Sequence, residues 1–331
     1  MTFERMVLNI RASRHRYKYL YPFKKNNMTD HQQAPKEFEG RLEPGRDWRE
    51  IVAWVGDLPP MPQVASRAIS MVENPDTTAQ ELTDLLSSDT ALAARVLKIA
   101  NSAMFSRQRE ITTLSQAIML IGFKALKGII VAATLRQLNK GFGKLEQLVW
   151  EKSMCTATCS TVISKRLKKR YVEEIFLLGL LHSLGQIVFL SQPNTAKDYK
   201  KVLKVIEDDH IDFATAEQET FGFAHPLIGA LVAKKWNFSA ETCQIILHYN
   251  DPIEGIKPET EMDEKMAVVQ LAGLISHAAN IGTPPGYPDV KDAITRAATF
   301  IGFDKATMDK DIQEIVEQTQ KQFASESHIY S

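Results

Sequence analysis

The sequence predicts an all-α, multi-helical fold, with about a dozen helices joined by short loops. Along most of the chain, apolar residues recur every three or four positions, which is the spacing of one helix face. Residues that favour helix starts and stops stand at the ends of these segments. No segment shows the apolar–polar alternation between turn residues that is typical of a half-buried strand.

The first clear helix is expected to follow Thr78. Thr78 and Glu81 have the spacing of a capping box, in which each side chain accepts a hydrogen bond from the other residue's backbone N–H. The next positions place three leucines on one face, namely Leu82, Leu85 and Leu86. This pattern predicts an amphipathic helix.

A second helix is expected after Asp89, a favourable N-cap residue. Its apolar face consists of Leu92, Val96 and Ile99. Residues 112–138 contain two further helical patterns. Thr113 and Gln116 can cap the first of them, and Gly122 suits the stop between the two.

Helical periodicity continues through the rest of the body. It is carried by LEQLVWEKSMCTATCSTVISKRL, EEIFLLGLLHSLGQIVFL, AHPLIGALVAKKW, SAETCQIILHY and KMAVVQLAGLISHAANIG. Segments rich in proline or glycine mark three soft boundaries, at 56–63, 139–147 and 281–290. They divide the chain into a basic, flexible arm at 1–46, a body at 47–282 and a C-terminal helical extension at 283–331.

The charge of the chain is unevenly distributed. The chain has 331 residues, 44% of them hydrophobic, and a formal net charge of zero. Residues 1–27 hold seven Lys or Arg and one acid, which leaves 33 basic and 39 acidic groups, a net charge of −6, in the other 304 residues. This sign argues against nonspecific binding to nucleic acid or to an anionic membrane. The three cysteines are too few and too irregular for a disulfide framework.

The composition also bears on localisation. No apolar run is expected to reach the ~20 residues that span a bilayer, and residues 1–27 lack the apolar segment of a secretory signal. We therefore expect a cytoplasmic protein with no membrane partner. Residues 1–27 fit a basic arm, an organelle-targeting segment, or sequence upstream of a true start at Met28. The last interpretation is preferred, and all three predict disorder.

Several strings together resemble one known family. They are LPPMPQVASRAISMV, LSSDTALAARVLKIANSAMF, ITTLSQAIMLIGFKALKGIIVAAT, GLLHSLGQIV, HPLIGALVAKKW and IILHY. These strings are similar to the HDOD domain, a bacterial output domain related to the HD phosphohydrolases, and the resemblance runs from about Leu58 to about Gly282. The resemblance implies that the body at 47–282 is an HDOD domain with two lobes. The lobes would cover 47–143 and 144–282.

The resemblance also implies where a metal centre would lie. In the HD superfamily one helix gives a His, the next a His-Asp pair and a later helix an Asp, and together they bind divalent metal for phosphate-ester hydrolysis. The matching positions here are Lys152, His182 with Ser183, and Gly273. Only His182 is a good ligand, because hard cations need carboxylate and imidazole donors. The resemblance therefore predicts neither a bound metal nor another cofactor.

Two of these positions have more than one interpretation. For His182 we prefer a structural role, in which its ring nitrogens bond a neighbouring backbone or hydroxyl group. Lys152 is expected to project into solvent. The second interpretation places its ammonium at the vacated metal position beside His182, but burying an ammonium without a carboxylate partner is expensive.

Three other histidines lie in matching or adjacent segments. His225 precedes Pro226 near a helix start, and His248 lies in the string LHY. Together with His182, these two could in principle form a three-histidine zinc site. His277, one turn after Gly273, could partly replace the missing donor. We prefer structural roles for all of them, since most unpaired histidines have such roles.

Other candidate features have simpler interpretations. Cys155 and Cys159 lie four residues apart on one helix face, so they could bind a metal. Cysteines on an apolar helix face are more often small buried side chains, and we prefer that interpretation. The basic run at 164–170 fits a solvated helix end, or a site for a phosphate-bearing messenger or an acidic partner. Asn101 and Ser102 are expected to end a helix and shape the turn between the lobes.

The sequence therefore predicts a non-catalytic module of bacterial signal transduction that binds a signalling protein or a small nucleotide-type ligand. A groove between the lobes would be the binding surface. Its candidate residues are Lys152, His182, Ser183, His225 and His248. The alternative is a metal-dependent phosphohydrolase with a rearranged metal site, and nucleic-acid binding through the basic segments ranks lower. The sequence predicts no oligomeric state.

Overall fold

The computed structural model describes residues 51, 60–102, 105, 110–138 and 143–330. The arm at 1–46, with its three interpretations and the start at Met28, lies outside these residues. The predicted all-α class is confirmed, because the described residues form helices and loops and contain no β-strand.

The segment predicted to form the first lobe contains short helices packed around apolar faces. They are α1 (Gln63–Glu73), α2 (Ala79–Ser87), α3 (Thr90–Ala100), α4 (Leu114–Ile121) and α5 (Phe123–Leu138). The capping box of Thr78 and Glu81 forms as predicted. Asp89 caps α3, Thr113 caps α4, and Gly122 ends α4 at a positive φ of 79°.

Asn101 ends α3 as expected, but the turn that it shapes lies within the first lobe. Its side-chain amide donates to the carbonyl oxygens of Leu97 and Ile111, at 3.0 and 2.7 Å. Its side-chain oxygen accepts from the N–H of Ile111 at 2.7 Å. Asn101 therefore fixes the approach to α4, and the expected role between the lobes was wrong.

The second lobe and the extension contain longer helices. They are α6 (Lys144–Arg166), α7 (Val172–Leu181), α8 (Leu184–Ser191), α9 (Pro193–Asp209), α10 (Phe213–Phe221), α11 (His225–Lys235), α12 (Ala240–His248), α13 (Glu261–Ala278), α14 (Lys291–Ile301) and α15 (Met308–Tyr330). Helix α6 is the central element, because most of its side chains after Leu148 are buried.

Two buried apolar clusters surround α6. The first runs from Ile51 to Leu247 and joins the first lobe to α6–α12 without interruption. The second contains residues of α6 and α7 together with α13, α14 and the start of α15. The C-terminal extension therefore shares a core with the second lobe and is part of the same packed body.

One segment, Val172–Ser191, is long and apolar enough to cross a membrane, which corrects the expectation that no run reaches this length. In its most apolar window, 89% of the residues are buried within the protein. The segment is also broken into α7 and α8 at His182 and Ser183. It is a core segment of the fold, and the cytoplasmic localisation stays a prediction.

The basic run at 164–170 contributes ion pairs that hold α13 and α15 against the end of α6. Arg166 pairs with Asp311 and with Glu314, the latter at 2.8 Å, so that α15 is fixed against the end of α6. Lys169 pairs with Glu264 of α13 at 2.5 Å.

The cysteine pair on α6 is structural in the way the sequence suggested. Cys155 and Cys159 are both fully buried. Burial raises the pKa of Cys155 to about 12 and that of Cys159 well above its ordinary value. Both thiols therefore stay protonated and unreactive at neutral pH.

Helices α8 and α11 cross at a contact that only glycine permits. A Cβ on Gly185 would overlap the backbone carbonyl oxygen of His225. Gly273 of α13 is different, because a Cβ there would find Thr156 Oγ1 at 4.0 Å as its nearest neighbour. The first glycine is required by packing, whereas the second leaves room for a side chain.

We predict that Gly185→Ala lowers the free energy of unfolding by about 1–3 kcal/mol, because the added methyl must displace backbone. The control is Gly273→Ala, which is expected to change stability by less than about 1 kcal/mol, and in the stabilising direction. Urea unfolding followed by circular dichroism measures both variants. Equal effects of the two substitutions would contradict the close approach of α8 and α11.

Candidate functional site

A cluster of polar side chains lies in the interior of the second lobe. We call it the buried polar cluster, and it consists of Lys152, Gln186, Tyr199, Glu217, His225 and Tyr249. None of these residues is more than 5% exposed. Because buried polar groups must find partners, their mutual hydrogen bonds define the site.

Glu217 is the acceptor at the centre of this cluster. One carboxylate oxygen accepts from the Tyr199 hydroxyl and from Gln186 Nε2, the latter at 3.2 Å. The other accepts from the backbone N–H of His225 at 2.7 Å and lies 2.6 Å from His225 Nδ1. Burial would raise the pKa of Glu217, but the charge and hydrogen bonds of His225 and the Tyr199 hydroxyl lower it. We infer that the carboxylate is ionised.

His225 uses both of its ring nitrogens within the cluster. Nδ1 faces Glu217, and Nε2 lies 2.5 Å from the Tyr249 hydroxyl. Burial raises the pKa of Tyr249 well above its ordinary value, so this hydroxyl keeps its proton and is hydrogen-bonded to Nε2. His225 has no ring nitrogen left for a metal.

Lys152 supplies the positive charge. Its side chain is buried, which shows that the expected projection into solvent was wrong. Nζ donates to Gln186 Oε1 at 3.3 Å and lies 4.6 Å from the centre of the Phe213 ring. Burial lowers the pKa of Lys152 to about 8, although the charges of Glu217 and Asp212 oppose this shift. The attraction of these carboxylates offsets part of the cost of burying the ammonium, although neither forms a direct ion pair with it.

His182 and Ser183 lie beside the cluster, at the break between α7 and α8. His182 Nδ1 is 2.6 Å from the carbonyl oxygen of Gly179, so Nδ1 carries the proton and Nε2 is left as an acceptor. The Ser183 and Ser153 hydroxyls bond each other, and Ser153 also donates to the carbonyl oxygen of Val149 at 2.7 Å. The hydrogen bond of His182 to the backbone is the structural role that we predicted for this residue from the sequence.

Several buried polar atoms near this break have no hydrogen-bond partner within the described part of the chain. They include His182 Nε2 and Thr156 Oγ1. Burial, followed by the charge of Lys152, lowers the pKa of His182 well below its ordinary value. The space beside Gly273 opens towards Thr156. The position that the resemblance assigns to the fourth metal ligand therefore has room but no donor.

The residues present do not fit a metal ion. Among the residues that the structure describes, no group of three or more His, Cys, Asp or Glu side chains could hold one. His248 does not belong to the buried polar cluster, and its Nδ1 lies 2.8 Å from Asp251 Oδ2. The three-histidine arrangement of His182, His225 and His248 does not form. His277 bonds Thr283 Oγ1 at 3.0 Å and stacks on the Tyr287 ring.

The structure brings Lys152, His182, Ser183 and His225 together, but inside the second lobe instead of along a groove between lobes. All four are at most 4% exposed. Burial of all four means that they do not line an open surface in this structure, and their role in binding stays a prediction.

Sequence reasoning missed Gln186, Glu217, Tyr199 and Tyr249 as members of the cluster. A signal existed for Glu217, because Phe213 and Phe221 stand four residues before and after it and place the acid on the apolar face of α10. Gln186 is likewise a polar residue within the otherwise apolar string LGQIVFL. No local signal marks the two tyrosines.

Comparison with known proteins matches this chain to one family and several bacterial proteins. The model of the HDOD domain matches residues 58–252. A curated relative, an uncharacterized protein of Treponema pallidum, is 23% identical over 221 residues, which are 66% of this chain and 43% of that protein. The match thus spans less than half the length of that relative.

Solved structures with the same fold come from several bacteria. An HDOD domain protein of unknown function from Geobacter sulfurreducens has a TM-score of 0.64 and 26% identity, over 83% of this chain and 96% of its own. A candidate phosphohydrolase from Shewanella amazonensis has a TM-score of 0.61 and 23% identity, over 82% and 97%. A candidate signal transduction protein from Marinobacter aquaeolei has a TM-score of 0.61 and 19% identity, over 88% and 63%. The last two similarities establish the fold alone.

The buried ammonium predicts a pH dependence of stability. The pKa of Lys152 is about 8 in the folded chain against an ordinary 10.5, so between these values the unfolded chain holds a proton that the folded chain lacks. Stability therefore rises with pH in this window, by at most roughly 3 kcal/mol. Relative to Lys152→Met, the wild-type free energy of unfolding should increase between these two pH values. Urea titrations of both proteins measure it, and a constant difference would contradict the lowered pKa of the buried Lys152.

The environment of His182 predicts its protonation state. At pH 6.5 an ordinary histidine is about half protonated, whereas His182 should be neutral with its proton on Nδ1, because burial and Lys152 disfavour the imidazolium. Nitrogen-15 chemical shifts of the imidazole distinguish the states, and His182→Gln assigns the signal. An imidazolium, or a proton on Nε2, would disagree with the hydrogen bond to Gly179.

Proposed function

Because the chain belongs to the HDOD domain family, we propose that it is a non-catalytic regulatory module of bacterial signal transduction that acts by binding a protein or a small ligand. The observation that carries this proposal is the buried ammonium of Lys152, at a position where the family resemblance expects a metal-binding histidine. An ammonium repels divalent cations and has no lone pair to donate while it is protonated.

The neighbours of Lys152 support the same conclusion. Glu217 could ligate a cation, but its two oxygens already accept from Tyr199, Gln186 and His225. Ser183 is bonded to Ser153. A metal-activated water would need several free carboxylate or imidazole donors around one point, and these side chains are already engaged.

The partner is a signalling protein or a small molecule, and the localisation that we propose is cytoplasmic. Nucleic acid ranks lower as a partner, because the chain after residue 27 carries a net charge of −6. Within 164–170, Arg166 and Lys169 are engaged in internal ion pairs.

The rival function is metal-dependent phosphohydrolysis at a rearranged site. The test is metal content by mass spectrometry on protein purified without a histidine tag or chelator, followed by hydrolysis of bis(p-nitrophenyl) phosphate with added Mn²⁺ or Mg²⁺. We expect far less than one metal ion per chain and no hydrolysis above the rate without protein. One tightly bound ion per chain, with phosphate-ester hydrolysis, would overturn the proposal.

A restored site provides the matched control. The variant Lys152→His, Ser183→Asp, Gly273→Asp returns the family's donors, and Gly273 has room for its new side chain. We expect this variant to bind a divalent metal more tightly than the wild type does, because two carboxylates and one imidazole replace an ammonium, a hydroxyl and a hydrogen. If it does not fold, Lys152→His with Gly273→Asp serves instead. Equal metal content in wild type and a folded variant would show that Lys152 does not determine metal binding.

A further inference from the structure

A cleft opens where the extension packs on the second lobe. We call it the C-terminal cleft, and it lies between the end of α13, residues 283–290, α14 and the first turns of α15. Its volume is about 560 Å³, within the range of small-molecule sites. The cleft lies outside residues 58–252, so the family match does not describe it.

The inner wall of the cleft is aromatic. The rings of His277 and Tyr287 stack with their centres 3.8 Å apart and their planes 21° from parallel. Thr283 holds His277 in place through the 3.0 Å bond to Nδ1. Phe213, the ring under the Lys152 ammonium, packs beside both of them, with its centre 5.7 Å from that of Tyr287 and 6.1 Å from that of His277. This support fixes a flat wall against which a planar ligand can pack.

The remaining lining is apolar within and acidic at the rim. Ile294, Met308 and Ile312 form the apolar part. The charged residues of the lining are Asp289, Lys291 and Asp309, all exposed, with a net charge of −1. Carboxylates accept hydrogen bonds from amino groups and repel phosphate. The lining therefore favours an apolar, planar body with amino donors and disfavours an anion.

We propose that the C-terminal cleft binds an uncharged heteroaromatic molecule bearing amino groups, of the class of a purine base or nucleoside without phosphate. This inference rests on the proposed function, because it names the ligand class of a module that acts by binding. It narrows the nucleotide-type ligand expected from the sequence, since the acidic rim disfavours a phosphate group.

The first experiment compares three probes by isothermal titration calorimetry with the full chain. Adenosine carries the base and its amino group, purine riboside lacks that amino group, and AMP adds a phosphate. We expect adenosine to bind at least about tenfold more tightly than either of the others. No binding of adenosine, or tighter binding of AMP, would overturn the proposal.

Two matched variants locate the bound probe. Gln313 and Gln318 are both exposed on α15, and only Gln313 belongs to the cleft lining. We expect Gln313→Trp to obstruct the cleft and weaken adenosine binding at least about tenfold, and Gln318→Trp to change it less than about twofold. Bound adenosine should also shift the imidazole signals of His277. Equal effects of the two variants, or unchanged His277 signals, would place the probe elsewhere and reject the cleft.

The inference and the proposed function can fail separately. Suppose that the protein hydrolyses bis(p-nitrophenyl) phosphate, that adenosine binds, and that Gln313→Trp weakens adenosine binding. The non-catalytic assignment then fails, and the assignment of the cleft stands. If neither hydrolysis nor adenosine binding is found, the cleft assignment fails and the regulatory module stands with another ligand or a protein partner.

Discussion

The second lobe depends on the compensation of two buried charges, the Lys152 ammonium and the Glu217 carboxylate. Removing each ion from water costs several kcal/mol, and their attraction offsets this only where further hydrogen bonds complete both groups. Gln186 provides this link, since its oxygen accepts from Lys152 and its nitrogen donates to Glu217. His225 and Tyr199 complete the carboxylate. Five elements of the lobe must therefore adopt one mutual arrangement for the charges to be satisfied.

A cation that is part of the chain differs physically from a bound metal. Its presence does not depend on metal supply, and it cannot be removed by a chelator. It also cannot polarise a substrate oxygen as a divalent ion does. In this protein the interior of the second lobe is organised around the singly charged Lys152 ammonium and the Glu217 carboxylate, which is compatible with a purely binding role.

Much of the fold follows from local sequence, whereas the site depends on contacts between distant segments. The caps at Thr78, Asp89 and Thr113 are set by residues three positions away, so the sequence predicts them correctly. The burial of Lys152 is not predictable in this way, because its partners Gln186 and Glu217 come from other helices. The C-terminal cleft forms where α14 and α15 pack on α13. No sequence pattern within a single helix specifies this packing.

The shared core between α6 and the extension has a consequence for where this protein can be divided. The family match ends at residue 252, but α13 and the start of α15 cover the face of α6 that carries Cys159 and Ile163. On α15, Ile315 and Thr319 are buried. A fragment cut at the family boundary would expose that apolar surface to water and tend to aggregate. The packed core thus continues beyond the family match, at least to Thr319 on α15.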